Sequence, residues 1–302
     1  WYLGKFFELE SESEKNIVDD DTYKRLSQST FAKCSALWRK ASRSPQASEI
    51  VQRMAGMAVV VPIEVRWNSY YNAMDKIRQI ISKMSVDNYK IMCAELEIDA
   101  LKNNEIVFLR EYCEVMKPVT NALDIVQGEF QSHIGILLPT IILLKQKLLD
   151  LQHNLRYAVP LVKALVAGME KRFDHLMDRD DLILASVTMP RFKLRWIKED
   201  NKREYAKSLL EKEMEKHIQA ANTDENVLEE SMEFDEFFNF TEPVSICKSV
   251  KSELTSFLND DNKMIECLNM YPKIKQLFLK YNSALPSSAP VERLFSMGGQ
   301  IF

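Results

Sequence analysis

The residue types that most often carry chemistry are scattered along this 302-residue chain. The five cysteines, Cys34, Cys93, Cys113, Cys247 and Cys267, form no CxxC or CxxH pair. An odd number spread over a long chain reads as reduced, mostly packed intracellular thiols, without zinc-ligand spacing. The four histidines, His133, His153, His175 and His217, lie far from one another and from the cysteines, so each reads as an ordinary helix residue. No GxGxxG or GxxxxGK[ST] string occurs, which removes the usual phosphate-cradling loops of nucleotide chemistry. Only seven glycines are present, against a typical usage of roughly 7 % of residues, so close backbone approaches to a ligand are few. Three features remain. They are a basic stretch before residue 54, an Arg-Trp pair at Arg66 and Trp67, and a proline- and serine-bearing tail around Glu292.

Between Lys24 and Arg53 lie Lys24, Arg25, Lys33, Arg39, Lys40, Arg43 and Arg53, opposed only by Glu49. Leu26, Phe31, Cys34, Leu37 and Trp38 fall near i, i+3, i+4 spacing, so the stretch is an amphipathic helix. Its basic face is either a solvated surface or a phosphate-contacting one. The net charge is −4 with pI near 5.8, so any nucleic-acid contact is local rather than a property of the whole chain.

The elements that must position these residues are mostly helical. Ser44-Pro45 marks a break, with Pro45 suited to the first position of the next helix. Met57 to Pro62 (MAVVVP) is the best strand candidate. Tyr70, Met74, Ile77, Ile80, Ile81 and Met84 form one helical stripe, and Ile106, Leu109, Tyr112, Cys113, Met116 and Val119 another. Pro118, Pro139 and Pro160 each start or kink a helix. A further helix runs from Pro160 to about Asp178, followed by DLILASVTMPRFKLRWI over residues 181–197. Glu199 to Gln219, dense in Lys/Glu pairs, reads as a solvated helix. Thr223 to Glu236 holds seven acids and no base, the composition of a flexible linker. Order resumes with Leu254, Phe257 and Leu258, then Ile265, Leu268 and Met270. Tyr271-Pro272 opens a helix through Ile274, Leu277, Phe278 and Tyr281. No apolar run approaches the roughly 18 residues of a membrane span; Ile134 to Leu144 is too short and reads as a buried helix. The N-terminus shows neither a signal-peptide pattern nor an initiator Met, so a fragment or a processed chain is expected.

In the tail, Ser287 or Ser288 can cap a helix, Pro290 suits its first turn, and Glu292 sits where the helix dipole favours an acid. Val291, Leu294 and Phe295 then form its buried face, and Gly298-Gly299 ends it. This string, LPSSAPVERLFSMGGQIF, resembles the C-terminal dimerisation region of hAT-type transposases and of cellular proteins domesticated from them. Two collinear segments resemble the same family. RSPQASEIVQ…VVVPIEVRWNSYYNAM is similar to the segment leading through its RW motif, and LASVTMPRFKLRWI to the end of its helical insertion. Together they span residues 43–302.

The resemblance implies an RNase H-like catalytic fold interrupted by a large helical insertion. Fold class is therefore expected to be mainly α, a helical insertion domain plus a remnant of the α/β fold. The corresponding segments are 1–65, leading into a remnant strand; 66–220, the insertion; 221–245, an acidic linker; and 246–302, the dimerisation region. In that family three acids hold two divalent ions, Mg for example, at a phosphodiester. Glu292 matches the third acid. The two aspartate-bearing strands have no match before Arg66, where Asp19, Asp20 and Asp21 lie in a polar run read as turn or linker. The chain is accordingly expected to be non-catalytic and to bind no cofactor.

The resemblance implies that Trp67 stacks on an extruded base with Arg66 beside it; the alternative is that Trp67 packs the insertion and Arg66 pairs with an acid such as Glu64. Leu285, Val291, Leu294 and Phe295 bury against a second copy or close their own core. The expected partners are a second copy of the chain and DNA reached through a separate domain, with no membrane and no small-molecule substrate. The expected location is the nucleus.

Overall fold

The computed structural model describes residues 21–62, 67–128, 133–224 and 250–286, with the side chains of Trp67 and of residues 217–224 left undescribed. Every regular element among them is a helix. In chain order these are α1 (Asp21–Arg43), α2 (Pro45–Ala55), α3 (Trp67–Met84), α4 (Val86–Glu95), α5 (Asn103–Gln127), α6 (Leu137–Leu151), α7 (Val159–Met177), α8 (Asp180–Val187), α9 (Asp200–Asp224), α10 (Val250–Asn259) and α11 (Pro272–Tyr281). Short 3-10 turns lie at Ile134–Ile136, Gln152–Asn154 and Ile265–Met270. The protein is mainly α, and no described helix is long and apolar enough to cross a membrane.

The chain forms two compact units. The first comprises residues 1–124 and 144–173, and the second residues 125–143 and 174–302. Residues of the 66–220 segment fall in both units.

In the first unit the local signals operate as the sequence indicates. Ser44 caps α2, its Oγ accepting from the Ala47 amide at 3.2 Å, and Pro45 occupies the first turn, where no amide donor is needed. Gly56 ends the same helix in the left-handed region (φ 62°), its amide donating to Gln52 O. A side chain there would be strained. Met74, Ile77, Ile80 and Ile81 on α3 and Ile106, Leu109, Cys113 and Val119 on α5 are buried. Phe31 of α1 packs edge-on against Tyr70, Phe108 and Tyr112, with ring centroids 5.2–6.0 Å apart. Pro118 lies inside α5, and Pro160 falls in the first turn of α7; Pro139, in the second unit, likewise falls in the first turn of α6, where a missing amide costs no helical bond.

The second unit is organised on α8. All six residues Leu182–Val187 are buried, and the Ile134–Ile136 turn, α9 and α11 pack against this helix. Phe257, Leu268, Ile274, Leu277 and Phe278 join the same core.

Four expectations need correction. Met57 to Pro62 is not a strand: residues 58–62 have no regular structure, and Val60 and Val61 are exposed. A β-branched run forms a strand only against a neighbouring strand, and none exists among the described residues. The helix over Glu199 to Gln219 is not simply solvated, because Ala206, Leu210 and Met214 form a buried i, i+4, i+8 stripe. Met270 is exposed, while Leu268 beside it is buried. Asp21 is a first-turn residue of α1, not a linker residue. Asp19 and Asp20 lie outside the described residues, as does the acidic segment beyond Asp224.

Candidate functional site

Asn282, one residue past α11, is 6 % exposed. Its Oδ1 accepts from the Gly135 amide at 2.9 Å, and its Nδ2 donates to Ala185 O at 3.0 Å and to Thr188 Oγ1 at 3.3 Å. The Ile134 amide adds a bond to Ala284 O. One asparagine thus ties the 134–136 turn, α8 and the end of α11 together. Gly135 is required by close approach: a Cβ there would stand 2.3 Å from Ala185 O. This knot fixes the point from which the chain runs into the tail, and Leu285, three residues on, is 48 % exposed.

Opposite ends of α11 are held by carboxylates. Glu253 of α10, 4 % exposed, accepts from the Lys273 and Ile274 amides at the helix N-terminus. Glu213 of α9 accepts from Lys280 Nζ (2.8 Å), Tyr281 Oη (2.7 Å) and Lys216 Nζ (3.1 Å). The Lys280 and Tyr281 bonds hold its carboxyl down at about 2, against the opposing effect of burial.

The segment between α8 and α9 carries a buried cation. Lys193 is 2 % exposed and adopts φ 48°, a left-handed conformation uncommon outside glycine. Its Nζ donates to Phe257 O at 2.5 Å and to Asp260 O, and sits 4.7 Å from the Phe257 ring centroid. The lysine therefore caps the C-terminal end of α10, where the helix dipole favours a cation. Burial pushes its pKa down, and the Asp260 carboxylate pulls it back up.

Among the described residues, three of the seven cations in the basic stretch of α1 and α2 are ion-paired. Lys33 pairs with Glu105 at 2.7 Å, Lys40 with Glu97 at 3.3 Å and Arg53 with Glu95 at 2.5 Å. Glu105 is buried, which disfavours its charge, but Lys33, Ser29 and the Lys102 amide outweigh burial and keep its pKa low.

Of the residues singled out in the sequence, Arg66, Val291, Glu292, Leu294 and Phe295 lie outside the described residues. Trp67 opens α3. Asn68 beside it donates from Nδ2 to Asp124 on α5, which pins the start of that helix. Cys34, Cys93, Cys113 and Cys267 are buried free thiols, and burial raises the pKa of each. No group of three or more histidine, cysteine or acidic side chains suited to a metal ion occurs among the described residues.

The sequence reading missed Asn282, Glu213 and Lys193. Lys193 stands inside the segment LASVTMPRFKLRWI and Asn282 three residues before LPSSAPVERLFSMGGQIF, yet their partners are 64 to 147 positions away. A lysine between Phe192 and Leu194 on an apolar-basic alternation was the available signal for Lys193.

No protein-family model matches the chain, and no curated protein matches it.

Proposed function

We propose that this chain is a non-catalytic protein derived from a hAT transposase, which self-associates through its C-terminal region and reaches DNA or chromatin in the nucleus through a separate domain. The observation that carries this reading is the string Ser288-Ala289-Pro290-Val291-Glu292-Arg293-Leu294-Phe295-Ser296, collinear with the RW and LASVTMPRFKLRWI segments. The helical architecture agrees with a helical insertion as its main component. The asparagine knot at Asn282 also supports the reading, since a dimerising tail needs a fixed point of departure. Leu285, Val291, Leu294 and Phe295 are the proposed contact residues.

Size-exclusion chromatography with light scattering, on the full chain at tens of micromolar, tests it. The expected mass is twice 35.1 kDa, falling to the monomer on joint Leu294→Asp and Phe295→Asp substitution. A well-folded chain that stays monomeric refutes self-association. The match of Glu292 to the family's third acid supports a second reading, a piece of an active metal-dependent strand transferase. Two aspartates on strands in a longer form of the protein, with Mg-dependent DNA cleavage, would favour it.

A further inference from the structure

A cleft of about 290 Å³ opens in the second unit, lined by Lys193, Leu194, Arg195, Arg203 and Leu258. Every charged side chain lining it is a cation, and no carboxylate is among them. We propose that this cleft binds the phosphate group of a small phosphate monoester. Guanidinium groups present paired N–H donors that match phosphate oxygens.

Three observations carry the proposal. First, Arg203 is placed by the fold rather than by the solvent, oriented by its Nη2 bond to Ile197 O at 2.8 Å. Lys193 lines the cleft, but its ammonium is buried against two backbone carbonyls, so the contacts to phosphate fall to Arg195 and Arg203. Second, the acids that now hold the arginines are easily displaced. Asp261, paired with Arg195, has a side chain 98 % exposed, and Asp200, paired with Arg203, one 94 % exposed. Exposed pairs of this kind contribute about 0–1 kcal/mol, so a phosphate dianion can take the guanidinium faces while both carboxylates swing into water. The basic stretch of α1 is different, because Lys33 is locked onto the buried Glu105. Third, Leu194 and Leu258 give the cleft apolar wall for the organic part of an ester, and its volume stands near the lower end of small-ligand sites, roughly 300–1,000 Å³. Asp261 and Asp200 pair with the lining arginines, and Glu199 and Asp260 lie within four residues of lining residues in sequence. That acidic surround disfavours a polyanion such as a nucleic-acid strand and still admits one dianion.

The proposal is independent of the self-association reading. It is tested by titration calorimetry on the full chain with inorganic phosphate, adenosine 5′-monophosphate, adenosine and a short single-stranded DNA. Phosphate and the monophosphate are expected to bind and adenosine not. Arg195→Glu is expected to raise the dissociation constant about tenfold or more with an unchanged unfolding midpoint, since the contact it removes is the exposed one to Asp261. Arg195→Gln serves where the charge reversal disturbs folding. Absence of binding by phosphate and the monophosphate at millimolar concentration, affinity unchanged in both Arg195 variants, or binding of the DNA alone overturns it.

Discussion

Glu111 and Thr30 are both buried polar residues, and their surroundings give them opposite value. Glu111 on α5 is 7 % exposed, and its carboxylate accepts from the amides of Arg156, Tyr157 and Ala158 at 2.7–2.9 Å, where α7 begins. Those amides have no helical acceptor of their own, so the carboxylate satisfies three donors at once. Glu111→Ala should therefore lower stability by about 1–3 kcal/mol in urea unfolding, because it leaves the buried Ala158 amide unpaired. Glu111→Gln should cost less, since it keeps an acceptor. Thr30, fully buried on α1, has a hydroxyl with no partner. Thr30→Val keeps the shape and removes the unsatisfied group, so the same measurement should show no loss or a gain of about 1 kcal/mol. Neither role was legible in the sequence. Glu111 reads there as an ordinary charged helix residue, and the amides it serves lie 45 to 47 positions away.

At the scale of elements, stripes and caps were readable because their causes are local. The Ser44-Pro45 break and the α3 and α5 stripes depend on neighbours within a turn or two. The strand expected at Met57 to Pro62 failed because a strand is a property of a pair. The solvated helix failed because dense charge concealed the Ala206, Leu210, Met214 stripe. That stripe brings Glu213 to Lys280 and Tyr281, and the contact between α9 and α11 becomes acid-sensitive. The unfolded chain protonates this carboxylate near pH 4.3, while the folded chain holds the proton off until about 2. The stabilisation is present above the unfolded value and is lost as pH falls toward the folded one. Tyr281→Phe should therefore be less stable than the parent at pH 7, and the gap should close between pH 4 and 2. The knot at Asn282 gives a second expectation. Gly135→Ala places a Cβ against the rigid Ala185 carbonyl, where overpacking costs typically ~1–3 kcal/mol and more when backbone must move. Circular dichroism in a denaturant series checks both.

Over the whole molecule, the chain interleaves its two units. Residues 144–173 return to the first unit after 125–143 have contributed to the second. Periodicity could not reveal this, since it reports which face of a helix is buried and not which partner buries it. The consequence is that neither unit is a contiguous stretch of sequence. A fragment of residues 21–124 contains α1 to α4 and most of α5, yet it lacks the Arg156–Ala158 amides that Glu111 serves, and the buried Leu161, Val162 and Leu165 of α7. A fragment of residues 66–220 loses Ser29 and Lys33, which hold Glu105. It also loses α10 and α11, whose Phe257, Ile274 and Phe278 complete the core around α8. Both fragments should show weak amide protection in hydrogen exchange and shallow, non-cooperative unfolding, with the full chain protected at α3, α5 and α8. A cooperative transition from either fragment would mean that its missing partners contribute little to the fold.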